Sequence, residues 1–146
     1  DTLVVEKGLI KHFAHSMAWP NDPNPLYFDE DYASQGRFSG IIAPPLFTTR
    51  IRGLRGIAPR VLQEVGECLV TMNGGNSYEI LRPIRPGDIL TGRGRLASLK
   101  ESPRTDGGAL LVIRYEGRID NQHGERVVNW ASSSLRIYSE DQLIKG

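Results

Sequence analysis

Asp22, Asn24 and Tyr27 fall within six positions of one another in the run Asn21-Asp22-Pro23-Asn24-Pro25-Leu26-Tyr27-Phe28-Asp29. That spacing sets a carboxylate, an amide and a phenol on one short segment. Such groups can accept a proton, orient a water molecule and donate a hydrogen bond, which is the equipment of general acid–base chemistry. Pro23 and Pro25 fix their own φ, withhold two backbone donors and bias Asp22 and Asn24 towards extended backbone. The segment is therefore neither regular helix nor central strand. A rigid polar loop of this kind holds side chains in place for catalysis or binding. The competing reading is that Asp, Asn and Pro are also what ordinary turns are made of.

Periodicity outlines the elements that must hold this loop. Leu9 to Met17 places Ile10, Phe13, Ala14 and Met17 on one helical face. After the loop, Phe28 to Gln35 reads as a short helix with acidic residues in its first turn, stopped by Gly36. Pro44 and Pro45 lead into Leu46 to Leu54, where Leu46, Phe47, Arg50, Ile51 and Leu54 fall at helical spacing. The second half changes period. Cys68 to Met72, Asn76 to Arg82, Ile89 to Leu99, Ala109 to Asp120 and Arg126 to Tyr138 read as strands, with Pro- and Gly-rich turns between them. Leu111, Ile113, Tyr115 and Ile119 alternate with Arg114, Glu116 and Arg118, as expected of a sheet with one buried and one wet face. Gly92 and Gly94 share a face of their strand, where missing side chains let another element cross closely. Helices first and long antiparallel strands after imply an α+β fold, a curved sheet around a central helix, and one domain over residues 1–146.

Bulk composition narrows the function classes. With 39% apolar and 24% charged residues the chain is an ordinary globular one, long enough to bury a core without disulfides or metals. A net charge of +1 gives no reason to propose nucleic acid or a membrane surface as partner. Cys68, the one cysteine, excludes an internal disulfide and a multi-cysteine metal site, and fits a reducing cytoplasm. No apolar run is long enough for a membrane span and no signal peptide is visible, although a chain opening on Asp1 leaves the question of a leader open.

Three blocks bring a family into view: Asp22 to Asp29, Gly40-Ile41-Ile42-Ala43-Pro44-Pro45, and Asn73-Gly74-Gly75 followed by Arg82-Pro83-Ile84-Arg85-Pro86-Gly87-Asp88. In this order and spacing the chain resembles the MaoC-like dehydratase, or (R)-specific enoyl-CoA hydratase, family, and within it the N-terminal-half, accessory-subunit-like type. The likeness runs from Glu6 to Tyr138. It implies a hot-dog fold, a long antiparallel sheet wrapped around a central helix, assembled as a dimer or double hot dog. It also implies an acyl thioester substrate on coenzyme A or acyl carrier protein, hydrated at a trans-2 double bond or dehydrated in reverse, with no further cofactor and no metal.

Catalytic members of that family carry Gly-Asp-x-Asn-Pro-x-His, whose Asp and His activate the water, and a helix-start N–H that stabilises the enolate oxygen. Here Asp22 and Asn24 match, but Asn21 replaces the glycine and Tyr27 stands where histidine belongs. Histidine titrates near neutrality; tyrosine does not. Pro44-Pro45 replaces the family's His-Gly, so a helix-start donor falls to the N–H of Leu46 or Phe47. The resemblance thus implies Asp22 and Tyr27 as the catalytic pair, and Asn24, Pro45, Leu46, Phe47, Asn73, Gly74 and Gly75 against the substrate. Both departures are usual in the substrate-binding half of a two-hot-dog unit, in which a partner chain supplies the intact Asp/His pair. The alternatives are a self-sufficient homodimeric hydratase using Asp22, a hot-dog acyl-CoA thioesterase, and a non-catalytic acyl-CoA-binding protein.

Other chemistry-bearing residues read as structural. His12 and His15 lack a third ligand. Ser132, Ser133 and Ser134 lack a glycine elbow and a paired histidine. Asp88 suits a turn cap. Arg50, Arg52, Arg55, Arg82 and Arg85 are candidates for coenzyme A phosphates, or simply solvated charge.

Overall fold

The alternating segments form strands, and two of them keep the bounds expected from sequence. In the computed structural model, which describes residues 1–145 and of the last two only the backbone, the strands are β1 (Thr2–Val4), β2 (Val70–Ile80), β3 (Ile89–Pro103), β4 (Ala109–Asp120) and β5 (Arg126–Tyr138). They make one antiparallel sheet in the order β1-β3-β4-β5-β2. Register lines up Gly94, Gly117, Trp130 and Tyr78 on one face and Arg93, Arg118, Asn129 and Glu79 on the other. The first face looks into the core and the second into solvent.

Helices α1 (Lys7–Ala18), α2 (Glu30–Ser34), α3 (Ala58–Val65) and α4 (Glu140–Lys145) accompany the sheet, with 3₁₀ turns at Pro25–Tyr27 and Pro45–Ile51. The buried face of α1 is Ile10 and Ala14; Met17, expected on that face, is exposed beyond it. Phe47 is fully buried and meets the Phe13 ring edge-on at 5.7 Å. With Ile10, Leu90, Ile113 and Ile119, also fully buried, it forms the centre of the core. Burying one such side chain contributes about 2–3 kcal/mol.

The hot-dog arrangement is present, a long curled antiparallel sheet with the central segment on its inner face. That segment is a strap in two pieces rather than one helix over Leu46 to Leu54: the 3₁₀ turn Pro45–Ile51, a bend, then α3. The reason is backbone contact. A Cβ on Gly92 would overlap the Ile51 carbonyl, and one on Gly53, at φ +79°, would strike the backbone of Gly92 to Gly94. Main chain lies on main chain here, so no α-helical side-chain layer fits between.

Residues expected to give two strands, Cys68 to Met72 and Asn76 to Arg82, are instead one strand carrying a bulge. The Gly75 N–H donates to Asn73 Oδ1 at 2.9 Å, and Gly75 takes φ +118°, a conformation that favours glycine. As the last strand of the sheet order, β2 leaves one of its edges unpaired over eleven residues, with Val70, Met72 and Ile80 more than 40% exposed. Long open edges of this sort are templates for pairing with another chain. No helix among the described residues is long and apolar enough to cross a membrane.

Candidate functional site

The Pro-rich loop folds by its own side chains. Asn24 Oδ1 accepts the Leu26 N–H at 3.0 Å and so caps the first 3₁₀ turn, and the Asn24 carbonyl accepts the Tyr27 N–H at 3.0 Å. Asp29 caps α2 by accepting from the Tyr32 N–H at 3.0 Å. Such caps are worth about 1 kcal/mol each. Tyr27, half-buried, is turned against the core and lines a hollow of about 290 Å³ with Phe38, Ile42, Pro45 and Leu81. Asp22 is exposed, does not line that hollow, and among the described residues makes no side-chain hydrogen bond or ion pair.

The helix-start donors divide in the same way. The Phe47 N–H is engaged by the Pro44 carbonyl at 3.0 Å and the Phe47 side chain lies inside the core. Leu46, 41% exposed, keeps an N–H with no partner among the described residues, as the start of a helix leaves it. Pro45 lines the Tyr27 hollow.

Asn73 lies on a second hollow. This cleft of about 520 Å³ runs between the strap and the inner face of β2, β4 and β5. Thr49 and Arg52 come from the strap, Asn76 and Tyr78 from β2, Tyr115 from β4, Ser132 and Ser134 from β5. Arg52 lies over the Trp130 ring, 5.4 Å from its centre, and Trp130 fits against Gly94 and Gly117, which lack the side chains that would displace it. Burial pushes the Tyr115 phenol above its ordinary value near 10, opposed by the charge of Arg136. Gly74 packs on Ser133 and Gly75 forms the bulge, so the Asn73-Gly74-Gly75 block shapes β2 and brings only Asn73 to the cleft.

The sequence-derived residues are therefore split: Tyr27 and Pro45 at one hollow, Asn73 at the other, Asn24 and Gly75 in local turns, Phe47 in the core and Asp22 at the surface. Thr49, Asn76, Tyr78 and Tyr115 were not singled out from sequence. Their alternation on strands predicts an inner face, but only the fold places them opposite Arg52. Among the arginines, Arg82 pairs with Glu125 at 3.2 Å, Arg55 lies 3.7 Å from Asp1, and Arg85 donates to the Phe38 carbonyl. Asp88 accepts the Arg85 N–H at 2.9 Å and closes its turn. A further hollow, about 780 Å³, lies at the far end of the sheet among Glu64, Leu99, Leu111 and Leu143, away from every residue expected at a site. Among the described residues, no three His, Cys, Asp or Glu side chains come close enough to share a metal ion.

Comparisons with known proteins agree with this architecture. A family model described as FAS1-like, dehydratase domain region, matches residues 1–130. A UPF0336 protein of Streptomyces avermitilis is 30% identical over 131 residues, covering 88% of this chain and 81% of its own length. Among solved structures, a MaoC-like dehydratase from Rhodospirillum rubrum superposes with TM-score 0.63 at 26% identity, over 94% of this chain and 88% of that one. A chain of the ChsH1-ChsH2 complex from Mycobacterium tuberculosis gives TM-score 0.71 at 20% identity, over 92% and 79%, a likeness of fold. These neighbours support a hydratase or dehydratase activity on a hot-dog scaffold.

Proposed function

Because the chain belongs to the FAS1-like dehydratase domain region family, we propose that it acts in hydrating an enoyl thioester, or dehydrating the 3-hydroxyacyl product, as the substrate-binding half of a two-hot-dog unit. The observation that carries this reading is that the water-activating group is incomplete here. Tyr27 faces a hollow, Asp22 does not, and among the described residues no histidine lines that hollow. A partner bearing an intact Asp/His pair supplies that dyad, and Tyr27 orients substrate rather than carrying its proton.

The open edge of β2 supports a partner on this side. Ile80 and Leu81 line the Tyr27 hollow while Asn73, Asn76 and Tyr78 line the cleft, so a chain pairing along β2 closes both at once. In this reading Asn24, Pro45 and the Leu46 N–H frame the thioester end, Phe47 backs it from the core, and Asn73, set in place by the Gly74-Gly75 bulge, guides the acyl group along β2. Coenzyme A or acyl carrier protein is the carrier.

The test is hydration of a panel of trans-2-enoyl-CoA esters by this chain alone, beside Asp22→Asn. The expected outcome is no turnover by either, and turnover once a subunit with the intact dyad is added. Turnover by the chain alone that Asp22→Asn abolishes would replace the accessory role with a self-sufficient hydratase.

A further inference from the structure

Resting on the acyl-thioester reading above, we propose that the acyl group received by this chain ends in a carboxylate, held by Arg52 in the cleft beside β2. Alongside the apolar Leu54, Ala58 and Met72, the cleft is lined by Thr49, Asn76, Tyr78, Tyr115, Ser132 and Ser134, whose side chains form no hydrogen bond to another described residue. A plain alkyl chain laid over them would strip their water and return no hydrogen bond, which is unfavourable for every hydroxyl and amide covered. An oxygen-bearing acyl group satisfies them.

Charge selects which oxygen-bearing group. No Asp or Glu lines the cleft, and Arg52 joins no ion pair among the described residues. On the outer face of the same sheet several arginines have acidic neighbours: Arg93, Arg118 and Arg126 gather around Asp120, and Arg95 pairs with Glu116. The Arg52 guanidinium carbon lies 5.4 Å from the Trp130 ring centre, and its planar fork of N–H donors makes no hydrogen bond or ion pair among the described residues. That fork fits a carboxylate bidentately, in a setting where the half-buried charge is only partly screened.

Two saturated esters of equal chain length separate this inference from the hydratase reading, because neither can be hydrated. Binding of adipoyl-CoA and hexanoyl-CoA is measured by calorimetry on the wild-type chain, on Arg52→Met and on Arg52→Lys, with circular dichroism to verify folding. The expected result is adipoyl-CoA binding at least about tenfold more tightly, the effect of one charge-assisted contact. Arg52→Met should remove that preference by weakening adipoyl-CoA more than hexanoyl-CoA, and Arg52→Lys should keep part of it. Equal affinities, tighter hexanoyl-CoA binding, no binding of either ester, or equal weakening of both by Arg52→Met would overturn the inference. Hexanoyl preference together with enoyl-CoA turnover sinks the carboxylate and keeps the hydratase. Adipoyl preference with no turnover even beside a catalytic subunit keeps the carboxylate and sinks the hydratase.

Discussion

At the Ile80 end of β2, Tyr27 meets Phe38, Ile42 and Pro45 in a hollow walled mainly by rings and aliphatic groups, whereas earlier on the same strand Asn76 and Tyr78 face hydroxyls and Arg52. One strand thus borders two chemical environments. The first is stocked by three short runs, the Pro-rich loop, the stretch that ends in Ala43-Pro44-Pro45 and Ile80 to Ile84 at the end of β2, and its loop is held by local caps such as Asn24. The second is assembled from the strap and three strands, and depends on the sheet and strap staying in contact. In the function proposed above, the first would position the reacting end of a ligand and the second would select its far end.

Substitutions can break the comparison or sharpen it. The largest effect is expected from Gly92→Ala, which puts a methyl into the Ile51 carbonyl beneath the strap and cannot be relieved by a rotamer change. We expect a loss of roughly 3 kcal/mol or more in denaturant unfolding, with both hollows disturbed together. Asn24→Ala should act on one hollow alone, costing about 1 kcal/mol through the lost cap at the Tyr27 loop. Hydrogen exchange should rise at Leu26 and stay unchanged at Tyr115.

Thr48→Val tests the strap without touching either hollow. The Thr48 hydroxyl is fully buried and has no hydrogen-bond partner among the described residues, so the isosteric change should raise stability by about 1 kcal/mol or less. Tyr115→Phe alters the polar cleft alone and carries the smallest effect. Burial raises the folded-state value of this phenol above its ordinary one near 10. The neutral form therefore contributes fully below pH 10, and that contribution falls as pH rises through the raised value. Thermal melts should show wild type losing stability faster than Tyr115→Phe between pH 10 and the raised value, and in parallel with it below pH 10.

The two regions also differ in how far they could be read from sequence. β4 and β5 were legible to the residue because turn-forming residues bound both on either side, and β4 alternates apolar with charged residues in addition. β2 was not: Asn73-Gly74-Gly75 has the composition of a turn, and only pairing with β5 makes it a bulge within one strand. The spacing of Leu46, Phe47, Ile51 and Leu54 correctly gave a helical segment, but its 3₁₀ form and its early end follow from contact with Gly92, a partner distant in sequence. α3 went unread, although Pro59 near its start and buried Val61 on one face were available signals. The Tyr27 loop was conspicuous because its chemistry is contiguous. The Arg52 cleft was invisible because no two of its strands contribute a recognisable motif, and its unity is purely spatial.

The seam of bare backbone between strap and sheet also divides the chain into positions that tolerate change and positions that resist it. Gly53, Gly92, Gly94 and Gly117 each exclude even a methyl group without displacing a neighbour. Thr49, Asn76, Ser132 and Ser134 line the neighbouring cleft, and their side chains make no hydrogen bond among the described residues. Variation among homologous chains should therefore fall on these wall residues while the glycines stay fixed. A lineage could then exchange one acyl ligand for another by substitutions at the wall, without rebuilding the scaffold that holds it.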